Sequence, residues 1–349
     1  MCECCACGSV VRSVESESMT GGSAGPRRGI LVIAASTTFL ASVGVNLQIR
    51  ANAQLAIDGV HPMRVALVNM GVQLAIILLL VIFFPRIRAA VVRLSKAIRA
   101  RQVRLWWFVG GFVGASVITL MGIVSPLVGV AVFSIALVAG QTTSSLAVDR
   151  WGLGPGGRRA LTRSRIFAAI VAIVAVVVSV SDRFIVEAGG ELAWGAAGLA
   201  LLGGLTISFQ AAANGRLAVV SGQPAVGAGV NFGVGVAALS LVSLLIPATL
   251  GADRAEGFGT WWLYLGAIFG LLIVLNTAWA VRYLGILLLT VIGVSGQMAG
   301  ALAMDLVLPT SGVSVTPALI AGILLAVVAV LIGSSAQWRQ RSKGLPLAS

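Results

Sequence analysis

Amide side chains stand four residues apart at two places in this chain, Gln48 with Asn52 and Gln210 with Asn214. Two more glutamines each follow a glycine, at Gly140-Gln141 and Gly296-Gln297, and two asparagines share the phrase V-N-x-G, at Asn69 and Asn231. An amide offers two donors and an acceptor without net charge, which suits a neutral or zwitterionic solute. A glycine beside it lets a ligand or a neighbouring backbone approach closely. Gln141, Gln297, Asn69, Asn231 and Asn276 are therefore the candidate solute-binding residues. Each has a second reading, as a hydrogen bond that joins one helix to the next.

Gln48, Asn52, Gln210 and Asn214 pair on one helical face. Counted from Gly29, Gln48 lies about 28 Å along its helix, near the outer interface, and Gln210 lies near the cytoplasmic one. They read as two gates, or as caps on long tilted helices. Arg50 and Arg216 beside them read as snorkelling to headgroups. Asp149 and Asp305 occur in the phrase L-A-x-D and are the only carboxylates repeated along the chain. They are the candidates for coupling transport to an ion, or else for capping or pairing at a helix end. Gln141 precedes Asp149 by about 12 Å of helix, which places it well inside a bilayer.

The elements that must position these residues are set by composition. The 349 residues are 58% hydrophobic and 10% charged, with a mean hydropathy of +1.02. A soluble domain cannot hide that much apolar surface, so the chain reads as a multi-pass membrane protein. Apolar runs long enough to cross about 30 Å of hydrocarbon lie near 30–55, 62–84, 104–124, 126–148, 165–182, 192–217, 224–247, 260–281, 284–305 and 316–335. Pro62, Pro126, Pro224 and Pro317 stand near the first turn of their helices, where the missing N–H costs nothing. With the amino terminus inside, twenty Lys and Arg fall on the cytoplasmic side and four (Arg50, Arg64, Arg183, Arg254) outside. This asymmetry orients both termini to the cytoplasm and assigns the basic charge, net +13, to loops rather than to nucleic acid. The basic loop 86–104 is expected to face lipid headgroups.

The phrases repeat at fixed spacing. Gln48, Asn52, Leu55, Ala56, Val68, Asn69 and Gly71 recur 162 positions later. Gly110, Gly114, Gly129, Gly140-Gln141, Leu146-Ala147 and Asp149 recur 156 positions later. The chain is a tandem duplication of five spans. An odd number of spans turns the second copy upside down in the membrane, an arrangement typical of secondary transporters, whose halves can exchange roles. The expected fold is an all-α integral membrane protein of ten transmembrane helices in two inverted repeats, 30–184 and 185–336. A cytoplasmic tail, 1–29, and a second tail, 337–349, flank them. Gly110-x-x-x-Gly114 and Gly266-x-x-x-Gly270 read as close helix contacts, within one chain or across a homodimer.

These motifs (Q-x-x-x-N, V-N-x-G, W-W with G-x-x-x-G, and G-Q-x-x-x-x-L-A-x-D) resemble the YdcZ-type branch of the drug/metabolite transporter superfamily, in its fused two-repeat, ten-span form. The resemblance covers about residues 30–336 and implies a central cavity between the halves. The expected function is a secondary transporter or facilitator of a small metabolite or drug-like solute in the inner membrane. The alternatives are a membrane-embedded accessory or assembly protein, and a lipid-processing enzyme. His61 is the sole histidine, which disfavours metal-histidine catalysis, so no enzyme activity, metal or cofactor is expected. The partners expected are the bilayer and a small-molecule substrate. All four cysteines lie in the first seven residues and read as part of a disordered tail, and translation from Met19 would remove them.

Overall fold

The computed structural model describes residues 28–158, 161–182, 190–246, 260–309 and 314–342. The cysteine tail, Arg183, Glu187, Asp253, Arg254, Glu256 and Lys343 lie outside the described residues. Within them the chain is helical: α1 Arg28–Ile57, α2 Pro62–Phe83, α3 Pro85–Arg99, α4 Val109–Trp151, α5 Arg163–Ser181, α6 Gly190–Ser221, α7 Pro224–Leu245, α8 Gly266–Val307 and α9 Pro317–Ser342. Single turns of 3-10 helix, Leu105–Phe108 and Trp261–Leu265, lead into α4 and α8. Eight helical segments among the described residues are long and apolar enough to cross a membrane. Helices satisfy every interior backbone group within one segment, as hydrocarbon demands. Their outward faces carry large apolar residues such as Leu40, Ile82, Phe83, Ile170, Leu244 and Leu324, all exposed. In water such a surface would drive association; against lipid it costs nothing.

Ten separate spans were expected, yet the third and fourth form the 43-residue α4, and the eighth and ninth fall within the 42-residue α8. At about 1.5 Å per residue each exceeds 60 Å, twice the hydrocarbon thickness. α4 resolves this with a break at Gly129, whose backbone (φ 82, ψ 168) is non-helical. The break falls at Gly129 rather than at Pro126 because a proline's fixed φ still fits a helix, whereas φ near +82° favours a residue without a Cβ. Gly129→Ala is expected to lower stability by about 1–2 kcal/mol through that strain, read as a fall in the thermal unfolding midpoint in detergent. An unchanged midpoint would mean the break does not need its glycine.

The packing follows the duplication. α4 packs most extensively on α6, and α8 on α1, with each pair joining one half of the sequence to the other. α5 pairs with α9 and α2 with α7, in each case an element with its own repeat. Glycines allow these approaches: a β-carbon on Gly140 would collide with the Leu201 carbonyl, and one on Gly296 would lie 2.6 Å from the Phe39 carbonyl. Leu201 and Phe39 are themselves repeat equivalents, 162 positions apart. α3 is amphipathic: Ala90, Leu94 and Ala97 are buried, the first two in a cluster with Leu217 of α6 and Val226 of α7, while Arg86, Arg88, Lys96 and Arg99 are exposed. The Arg93 Nε donates to the Ser221 carbonyl at the end of α6 at 2.8 Å.

Candidate functional site

A cavity of about 410 Å³ opens between the second segment of α4 and helices α5, α6, α8 and α9. Its polar wall is made by Gln141, Thr142, Ser145, Asp149, Arg165 and Ser208, and its apolar wall by valines and alanines such as Val138, Val294, Ala212 and Ala329. That volume suits a small organic solute. Gln141 projects an exposed side chain there, while its main-chain carbonyl accepts from the Ser208 hydroxyl at 2.8 Å. The Asp149 carboxylate pairs with the Arg165 guanidinium at the cavity wall. Of the residues singled out from sequence, the cavity gathers Gln141 and Asp149.

The others lie elsewhere. Gln297 has its carbonyl engaged by the Asn46 amide at 2.8 Å, the equivalent of the Ser208–Gln141 contact. Asn276 lies on α8 and donates to the Thr38 hydroxyl on α1 at 3.0 Å, outside the cavity. Asn69 sits between the α1 amides: the Gln48 Nε2 donates to its Oδ1 at 2.9 Å, and its Nδ2 donates to the Asn52 Oδ1 at 2.8 Å. Asn52 in turn donates to the Met121 thioether at 3.7 Å. These residues form a buried trio, of which Gln48 packs against Gly266 and Gly270 of α8.

The second copy of the trio is arranged alike and bonded differently. Gln210, Asn214 and Asn231 face Gly110 and Gly114 of α4, the equivalents of Gly266 and Gly270. Yet the Oδ1 atoms of Asn214 and Asn231 are buried without a hydrogen-bond partner among the described residues. The G-x-x-x-G phrases thus make contacts within one chain.

The repeated aspartates also differ. Asp305 is 3% exposed, and its two oxygens accept from the Val130 and Ala131 amides, both at 2.9 Å. These are the first amides after the Gly129 break, so Asp305 caps the second segment of α4. Asp149 instead meets Arg165.

The reading of Arg50 and Arg216 as snorkelling residues needs correction. Arg50 donates to the Leu308 and Pro309 carbonyls (2.8 and 3.5 Å), and Arg216 to those of Leu153 and Gly152 (both 3.0 Å). Each therefore caps the C-terminal end of a long helix from the other half of the chain, where carbonyls lack partners and positive charge is favoured.

Sequence reasoning missed Asn46, Ser208 and Arg165. Asn46 and Ser208 are repeat equivalents of different type, so the repeat pattern hid them, although both are hydrogen-bonding residues inside apolar runs. Among the described residues no cluster of three or more His, Cys, Asp or Glu side chains could hold a metal ion.

A family model described as "Putative inner membrane exporter, YdcZ" matches residues 33–178 and again residues 196–332. No curated protein and no solved structure matches the chain.

Proposed function

Because the chain belongs to the YdcZ family, matched once in each half, we propose that it exports a small metabolite or drug-like solute by alternating access between two inverted five-span repeats. The long helices α4 and α8 each supply two crossings in this reading, which brings the count to ten, and the charge asymmetry sets both termini in the cytoplasm. The cavity then opens toward the cytoplasm, with Gln141, Thr142, Ser145 and Ser208 as the solute's hydrogen-bonding partners. Asp149 and Arg165 contribute charge at its wall. Exposed cations on α3 lie at the same interface and meet anionic headgroups.

One observation carries the proposal: positions that line the cavity in one half are shut at their repeat equivalents in the other. Thr142 and Ser145 line it, whereas their repeat equivalents Met298 and Ala301 are 1% and 0% exposed. Ala211 lines it too, and its equivalent Ile49 is 0% exposed. A duplicated protein open on one side and shut at the equivalent positions on the other has the form of one end-state of a two-state cycle.

The test is a thermal-shift screen of the purified protein in detergent against a metabolite and drug panel, beside Gln141→Ala. A solute that stabilises the parent at least several-fold more than the variant, and then crosses liposome membranes only when the protein is present, is the expected result. Stabilisation equal in both proteins would remove Gln141 from the site, and stabilising solutes that never cross would sink the transport reading.

A further inference from the structure

We infer that the two amide trios are the alternating gates of the cycle: Gln48–Asn69–Asn52 holds one side shut in this conformation, and Gln210–Asn231–Asn214 holds the other side shut in the opposite one. The inference rests on the alternating-access reading above.

The trios are the same three residue types at repeat-equivalent positions, and the glutamine of each packs on a pair of repeat-equivalent glycines. A role in packing alone would leave both bonded. Instead the first trio carries two internal hydrogen bonds, and the second leaves two buried acceptors unmatched. An unmatched buried acceptor disfavours a conformation by about ten-fold or more relative to one that satisfies it.

The bonding state also tracks the cavity. Ser208, Ala211 and Ala212, which line it, lie on the same stretch of α6 as Gln210 and Asn214. On α1 the equivalent of the exposed Ala211 is Ile49, fully buried beside the bonded trio. Where the trio is bonded the bundle is closed, and where it is unbonded the cavity is open. Exchange of the halves would form Gln210–Asn231–Asn214 against Gly110 and Gly114 and break Gln48–Asn69–Asn52.

The two trios therefore predict opposite responses to the same substitution. With Cys2, Cys4, Cys5 and Cys7 replaced by serine, a single reporter thiol is placed by Ser145→Cys on the cavity wall or by Ala301→Cys at the buried equivalent. Its reaction rate with a small methanethiosulfonate is followed in liposomes. Asn69→Leu removes the bonds that hold this conformation, so it should raise the rate at position 301 and lower it at 145, each by about ten-fold. Asn231→Leu removes an unmatched acceptor here and the gate of the opposite state, so it should leave position 301 no faster and position 145 no slower.

Gln48→Leu, which removes one bond of the first trio, should act like Asn69→Leu and serves if that variant does not accumulate. If Asn231→Leu shifts the thiols in the same direction as Asn69→Leu, or neither variant shifts them, the gate assignment is overturned. Thiols at 145 and 301 that rise and fall together in every variant would overturn alternating access itself.

Discussion

Gly140→Val should prevent the protein from accumulating in a folded state, or lower its stability by about 3 kcal/mol or more where it does. The α4–α6 approach is set by two reciprocal glycines: a β-carbon on Gly140 would collide with the Leu201 carbonyl, and one on Gly204 with the Leu137 carbonyl. Neither obstacle is the tip of a flexible side chain, so the helices must separate. Separation would strip hydrogen bonds as well as contacts, because Ser208 reaches the Gln141 carbonyl only at this spacing. Gly296→Val should be milder, since its β-carbon would be 2.6 Å from the Phe39 carbonyl and the residue equivalent to Gly204 is Ser42. Gly198→Ala on the exposed face of α6, with nothing within 4 Å, should be neutral or stabilising by up to about 1 kcal/mol through helix propensity. Thermal unfolding of the purified variants in detergent, followed by helicity, ranks them. A Gly140→Val protein that melts with Gly198→Ala would refute the close approach.

The glycine-before-glutamine phrase illustrates how much was legible. Its repetition announced a duplicated membrane protein, and the family match falls on both copies. The glycine's need for a close neighbour was also readable, but whether that neighbour is a solute or a backbone was not. In both copies it is a backbone, and of the two glutamines only Gln141 faces the cavity. The trios carry the same lesson further. Gln48, Asn52 and Asn69 read identically to Gln210, Asn214 and Asn231, so no pattern of types could say which set is bonded. Conformational state is a property of the whole bundle, and a symmetric sequence is silent about it. Arg50 and Arg216 were misread for a different reason. They are not repeat equivalents, since position 216 corresponds to Gln54, one helical turn beyond Arg50. Arginine is long enough to reach equivalent carbonyls from either turn, at Leu308 and Pro309 or at Gly152 and Leu153, so the symmetry survives in contacts that the aligned residues conceal.

Asp305→Leu should cost about 2–5 kcal/mol of stability, while the same change at its equivalent, Asp149→Leu, should cost less than about 1 kcal/mol. The difference follows from what each carboxylate touches. The break at Gly129 starts a new helical segment inside a closely packed bundle, and first-turn amides there have no acceptor within the helix. Asp305 accepts from two of them, Val130 and Ala131, and places negative charge at a helix N-terminus. Leucine would fill the space yet leave both amides buried and unmatched. The milder change Asp305→Asn keeps one acceptor oxygen but turns a donor toward the second amide, so an intermediate loss is expected. Asp149 is 24% exposed at the cavity wall, and its partner Arg165 can turn to water or to a solute when the carboxylate is gone. Asp149→Leu should therefore retain the parent's unfolding midpoint and lose affinity for whatever solute occupies the cavity. Measured side by side, unfolding midpoints and ligand-induced shifts should separate the pair, one aspartate acting on stability and the other on binding. Equal losses of stability would mean that Asp149 also holds a buried structural contact, and that the aspartates are not divided between the two tasks as their surroundings imply.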